Sequence, residues 1–159
     1  MLKLFQYNWQ VRDDWFKWCE DIPEEELLKE RVGGVGSILY TLFHIIDVEY
    51  SWILELKGEL PPEEPPFDSY ASLSKVKEFS RQCRREVEPF ITAWNNEMEY
   101  QILSETDSAG NAVLFKHGEV MRHVIAHEIH HVGQLSVWSR VLGKKPVTAN
   151  LIRRGLFDK

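Results

Sequence analysis

Residues 119–143 read EVMRHVIAHEIHHVGQLSVWSRVLG, and this stretch decides how the chain is understood. It runs without proline to Gly143, with Pro146 just beyond, the pattern of a long helix closed by a glycine after its last turn. At about 100° per residue, with His127 set at zero, Val120 and Trp138 fall near +20° and Val124 and Leu142 near +60°. On the same wheel His131 falls near +40°, His123 near −40° and His130 near −60°. His127 and His131 are therefore expected in the middle of a buried apolar stripe, with His123 and His130 flanking it. Two imidazoles are a costly filling for a core, because each brings a donor and an acceptor worth about 1–3 kcal/mol if unsatisfied. A divalent ion removes that cost, since ring nitrogens at i and i+4 can both reach one ion at about 2 Å.

Two ligands rarely hold a metal, so a third is needed from elsewhere, and the chain has only two further histidines, His44 and His117. His117 stands at the expected start of the helix, two to three turns from the pair, and reads as a surface or capping residue. His44 lies about two turns into a second helix, at the edge of the Leu42 and Ile45 face, and is the better third ligand. Residues 127–131 also spell HExxH, the zinc-protease signature in which the glutamate activates water. Context argues against that reading. No histidine or glutamate follows His131, Gln134 and Val137 replace the glycine and histidine of the extended motif, and no clear strand is present to hold a peptide. Glu128 is accordingly expected to be a solvated residue.

Outward from this helix, the chain reads as three more helical segments. The first spans about residues 2–21, with Leu4, Tyr7, Val11, Trp15, Trp18 and Ile22 at steps of three and four. Pro23 ends it, Glu24–Leu28 reads as a short turn, and the glycines of RVGGVGS read as a flexible lead into the second helix. That helix is capped by Ser37, carries Ile38, Leu42, Ile45, Trp52, Ile53 and Leu56, and stops at Gly58. Four prolines between Pro61 and Pro66 exclude regular structure and make a long extended connector. The third helix starts between Asp68 and Ser74, carries Leu73, Val76, Phe79, Cys83, Val87, Phe90, Ile91 and Trp94, and should kink at Pro89 unless the carbonyl facing it is relieved locally. Residues 100–118 alternate about Ser108–Asn111 and read as a short hairpin or ordered loop. The fold expected is all-α, a four-helix bundle with a proline-rich crossover between helices two and three.

The whole chain, 159 residues with 43% hydrophobic and 28% charged residues, has the composition of one soluble globular domain over residues 1–159. A formal charge of −6 argues against a nucleic-acid partner, which would call for a basic face. The opening residues are too polar for a signal peptide, and no apolar run approaches the roughly 20 residues that span a bilayer. Cys19 and Cys83 form no CxxC, which suits a reducing cytoplasm, and their apolar neighbours mark them as buried inert thiols. The six tryptophans mostly fall on helix stripes and are explained by packing. Short basic pairs such as Arg84-Arg85 and Lys144-Lys145 read as solvated surface.

TLFHIIDVEYSWI in the second helix together with RHVIAHEIHHVGQL in the fourth resembles the DinB-like superfamily of damage-inducible proteins. The likeness covers nearly the whole chain, including the proline-rich crossover and the LGKKP that closes the last helix, and its most specific part is His127, His131, Gly133 and Gln134. The resemblance implies a four-helix bundle, often a homodimer, with a divalent metal on three histidines. Residue by residue, these are His44, His127 and His131, the trio the helical plot favours. Relatives in this superfamily include transferases and isomerases that use bacillithiol or mycothiol.

Three neutral imidazoles leave coordination positions open, the mark of a catalytic rather than a closed structural site. Zinc or nickel fits such a set first, and iron or manganese is compatible with the ligand type. Tyr40, one turn before His44, is placed to line the pocket. Asp47, Glu49 and Gln134 are candidates to orient the imidazoles. The functional expectation is a metal-dependent thiol S-transferase or hydrolase acting on a small molecule, such as a low-molecular-weight thiol. The alternative is a metal-binding stress-response protein without turnover.

Overall fold

The computed structural model describes residues 1–63 and 65–158. Helix α1 spans Leu2–Cys19, α2 Glu24–Leu28, α3 Ile38–Leu56, α4 Leu73–Ala93 and α5 His117–Val141, with strands β1 (Ile102–Thr106) and β2 (Ala112–Lys116) between the last two helices. The expected short turn at Glu24–Leu28 is thus a brief helix. The four long helices make the bundle. α3 packs against α4 and α5, and α1 packs against the same two, so α1 and α3 face each other across the diagonal.

Side-chain pairs give the directions. Phe43 stacks on Phe79 and Tyr50 donates to Glu86, so α3 and α4 run parallel. Asn8 reaches Ile125 and Arg12 reaches Glu128, so α1 and α5 are also parallel. His44 meets His131 while Trp52 meets His123, which makes α3 and α5 antiparallel. Parallel neighbours require the chain to travel back along the bundle, and the proline-rich segment does so. Having left the C-terminal end of α3, it brings Phe67 against Tyr40 and Phe43 near the start of that helix.

Local signals account for most boundaries. The Ser37 hydroxyl accepts from the Tyr40 N–H at 3.1 Å, capping α3. Gly143 adopts a positive φ of 68° and closes α5. The N–H of Lys116 donates to Glu119 Oε2 at 2.8 Å, which ties down the start of α5. The hairpin pairs Leu103 with Phe115 and turns at Asp107–Gly110, where Gly110 takes a positive φ of 84°. Pro89 lies inside α4 near its C-terminal end, and the helix continues four residues beyond it. Two clusters fill the interior. One contains Val11, Trp15, Leu39, Leu42, Phe43, Val76, Cys83 and Leu135; the other contains Phe5, Trp9, Ile53, Val87, Ile91, Met121 and Val124. Phe5, not the exposed Leu4, supplies the first buried position of α1. Among the described residues no helix is long and apolar enough to cross a membrane.

The GGVGS segment is held in place rather than flexible. The Trp138 indole donates to the Val32 carbonyl at 3.0 Å, and the Arg31 N–H donates to the Gly36 carbonyl at 2.8 Å. Gly34 lies flat on Trp138, where a Cβ would come within 2.5 Å of the ring. His117 also departs from expectation. It is buried at the first position of α5, and its backbone N–H donates to the Gln101 carbonyl at 2.9 Å.

Candidate metal centre

The antiparallel seam between α3 and α5 brings His44, His127 and His131 together. His127 Nε2 lies 3.1 Å from His44 Nε2 and 3.1 Å from His131 Nε2, and the three ligand atoms all fall within 4.8 Å of one another. His131 is buried, while His44 and His127 are half-buried, so the cluster sits at the rim of the bundle with one side toward solvent. Hydrogen bonding alone serves this arrangement poorly. A proton on His127 Nε2 can point well at only one of the two neighbours, and the other contact is then left without a well-directed hydrogen bond. A cation bound at about 2 Å from each of two nitrogens spaces them by roughly 2.9–3.4 Å in octahedral or tetrahedral geometry, which matches the observed spacing. The three imidazoles therefore could hold a metal ion.

Protonation favours the same use. Burial, with His131 and His44 alongside, pushes the His127 imidazole down to about 3. Burial likewise lowers His131, against the opposing pull of its hydrogen bond to Gln134. Both rings are neutral near pH 7 and have lone pairs to offer. The tautomer of His131 follows from its partner. Its Nδ1 lies 2.7 Å from Gln134 Oε1, an atom that can only accept, so Nδ1 carries the proton and Nε2 is left as the ligand atom. The Gln134 amide nitrogen in turn donates to His130 Nε2 at 3.1 Å. Tyr40 stacks near His44 with centroids 6.4 Å apart, as expected of a residue lining the site. Of the three residues expected to orient the imidazoles, Gln134 does so directly, and Asp47 is half-buried in the turn after His44.

Glu49 and Glu128 do something else, and here the sequence reading is corrected. Both are 2% exposed, and both clamp Arg12, itself 2% exposed. Arg12 Nε donates to Glu128 Oε1 at 2.9 Å and Nη2 to Glu128 Oε2 at 2.6 Å, while Nη1 and Nη2 reach Glu49 at 3.1 Å each. The Trp9 indole adds a donor to Glu49 at 3.0 Å. Burial pushes the Glu128 carboxyl up, with Glu49 adding to it and Arg12 opposing. Burial works against the Arg12 guanidinium, yet the two carboxylates hold it above its ordinary value. Glu128 is thus engaged by Arg12 in the core and is not the water activator of an HExxH protease.

The error has a simple origin. Met121, Glu128, Val132 and Leu135 lie between about +80° and +140° on the wheel, and all four are buried. The core-facing arc of α5 is centred there, and His127 and His131 stand at its edge rather than its middle. A signal was present on α1 as well, where Asn8 and Arg12, one turn apart, lie within a run of aromatic residues.

The remaining histidines of α5 do not join the cluster. His130 is exposed beside Gln134, and His123 is exposed with its ring centroid 5.9 Å from that of His127. Cys19 and Cys83 are buried as expected, and burial pushes both thiols up to about 12.

Comparison with known proteins agrees with this architecture. Residues 1–155 match the model of the DinB family. The chain is also 49% identical over 156 residues to the uncharacterized protein YizA of Bacillus subtilis (strain 168), covering 98% of this chain and 96% of that protein. With a bundle of the expected topology, a three-histidine cluster across α3 and α5, and a family match over nearly its whole length, the chain belongs to the DinB family.

Proposed function

We propose that His44, His127 and His131 hold one divalent metal ion, zinc or nickel, and that the protein is a metal-dependent enzyme of the thiol S-transferase or hydrolase type acting on a small molecule. The observation that carries this reading is the pair of 3.1 Å contacts from His127 Nε2 to the other two Nε2 atoms. An ion bound there supplies Lewis acidity and lowers the pKa of a coordinated thiol or water. The protein's own residues set the terms of that chemistry. Three neutral ligands leave the ionic charge uncompensated, His131 is oriented by Gln134, and the solvent-facing side of His44 and His127 leaves room for a substrate donor atom. Glu128 is held by Arg12, so no carboxylate from the HExxH string takes a proton at this site.

Metal analysis of protein purified after expression with zinc and nickel present tests the metal. One ion per chain in the wild type and near none in His127→Ala is the expected result, and a wild type without stoichiometric metal overturns it. Assays of the loaded protein with low-molecular-weight thiols and electrophilic acceptors or hydrolysable esters then test the enzyme. Turnover lost in His44→Ala supports it, while bound metal with no turnover on any acceptor favours a stress-response metal-binding protein instead.

A further inference from the structure

Beside the triad, the α3–α5 seam opens into a second feature. A hollow of about 250 Å³ is lined by Trp52, Phe115, Glu119, Val120 and His123. Helical spacing explains its place. Trp52 follows His44 by two turns on α3, and His123 precedes His127 by one turn on α5, so both extend the line of the triad. The Trp52 ring meets Phe115 edge-on at 6.1 Å and His123 at 6.1 Å, and Val120 adds an aliphatic side chain to the lining. The one carboxylate at its edge, Glu119, is occupied by the Lys116 N–H. His123, whose ring lies 5.9 Å from that of His127, stands between the hollow and the triad.

We infer that this hollow is the subsite for the apolar arm of the small molecule whose donor atom reaches the three histidines. The inference rests on the metal reading above. Size and chemistry select the occupant. An apolar cavity of about 150 Å³ takes a benzene ring, so this one suits an aryl group or a chain of several carbons. Five lining residues are too few for a protein partner, since a stable interface buries about 800 Å² on each side. The ring of His123, one wall of the hollow, lies 5.9 Å from that of His127, and this spacing sets the reach. The ligand class is therefore a thiol bearing an alkyl or aryl arm a few atoms from sulfur, rather than a small fully polar thiol.

The test uses cobalt(II)-loaded full-length protein titrated anaerobically with straight-chain alkanethiols from ethanethiol to hexanethiol and with 2-phenylethanethiol. Binding is read from the sulfur-to-cobalt charge-transfer band as the thiol proton passes to buffer. Affinity is expected to rise about threefold to fourfold per added methylene until the hollow is full. Trp52→Ala and Phe115→Ala should flatten that rise while leaving cobalt uptake unchanged. Trp52→Gln and Phe115→Gln, which keep a side chain in place but make the wall polar, serve if either alanine variant fails to fold and should flatten the rise likewise. Cobalt uptake with a flat series in the wild type, or an unchanged slope in the folded variants, overturns the subsite and leaves the metal reading standing. Failure to take up cobalt overturns the metal reading itself, and with it the subsite that depends on it.

Discussion

Arg12 on α1 and Glu128 on α5 form a two-pronged ion pair, with Nε to Oε1 at 2.9 Å and Nη2 to Oε2 at 2.6 Å, sealed from solvent one residue away from His127. The same guanidinium reaches across the bundle diagonal to Glu49, five residues after His44. One side chain thereby links the two helices that present the three imidazoles. Removing it strands two buried carboxylates. Arg12→Ala is expected to cost about 3–5 kcal/mol in urea unfolding of the metal-free protein. A loss below about 1 kcal/mol would show that the cluster is not sealed as described.

Gln134 should matter to metal binding more than to folding. It accepts from His131 Nδ1 and so sets which nitrogen faces the other imidazoles. Gln134→Ala is expected to weaken zinc binding by about 10- to 100-fold, measured by competition with a chelating dye. Gln134→Glu, which keeps an acceptor, should recover most of it. Equal losses in the two variants would argue against the orienting role.

The histidines make stability depend on pH. His127 is held at about 3 by burial and its neighbours, whereas in the unfolded chain it titrates near the ordinary histidine value of about 6.5. Below that value the unfolded state binds more protons than the folded one, so stability falls as pH drops. The window for His127 runs from about 6.5 down toward 3. The urea midpoint of the metal-free wild type is expected to fall more between pH 7.5 and pH 5 than that of His127→Gln. Parallel profiles would show that His127 is not held neutral in the folded state.

Both thiols are buried and pushed up to about 12, so the native protein should resist alkylation. Iodoacetamide at pH 8 is expected to modify neither Cys19 nor Cys83 until denaturant is added, followed by mass spectrometry. Rapid labelling of the folded protein would contradict the burial described for either residue.

Gly34 permits a close approach that no side chain allows. A Cβ there would lie 2.5 Å from Trp138 and 3.1 Å from Gln134 Oε1. Gly34→Ala is expected to cost about 1–3 kcal/mol by overpacking, seen in thermal or urea unfolding, and to weaken zinc binding in the same direction as Gln134→Ala. A neutral effect on both would mean that the segment shifts freely over α5.

Much was legible in the linear chain because the physics that shapes a helix is local. Ser37, Gly143 and the prolines from Pro61 to Pro66 set boundaries through caps, φ angles and missing donors, none of which needs a distant partner. The i,i+4 spacing of His127 and His131 put two imidazoles on one face, and the length of the proline-rich connector implied a return along the bundle. The sequence by itself also selected His44, since so few other histidines were available. Tertiary structure decided the rest. Which arc of α5 faces the core depends on the helices packed against it, and that rotation places Glu128 inside and His127 at the rim. A carboxylate is normally solvated because burying its charge is costly, and only a guanidinium arriving from α1, 116 residues earlier, reverses that expectation. The hollow beside His123 likewise exists only because β2 brings Phe115 against Trp52, a meeting of residues 63 positions apart that no local pattern encodes.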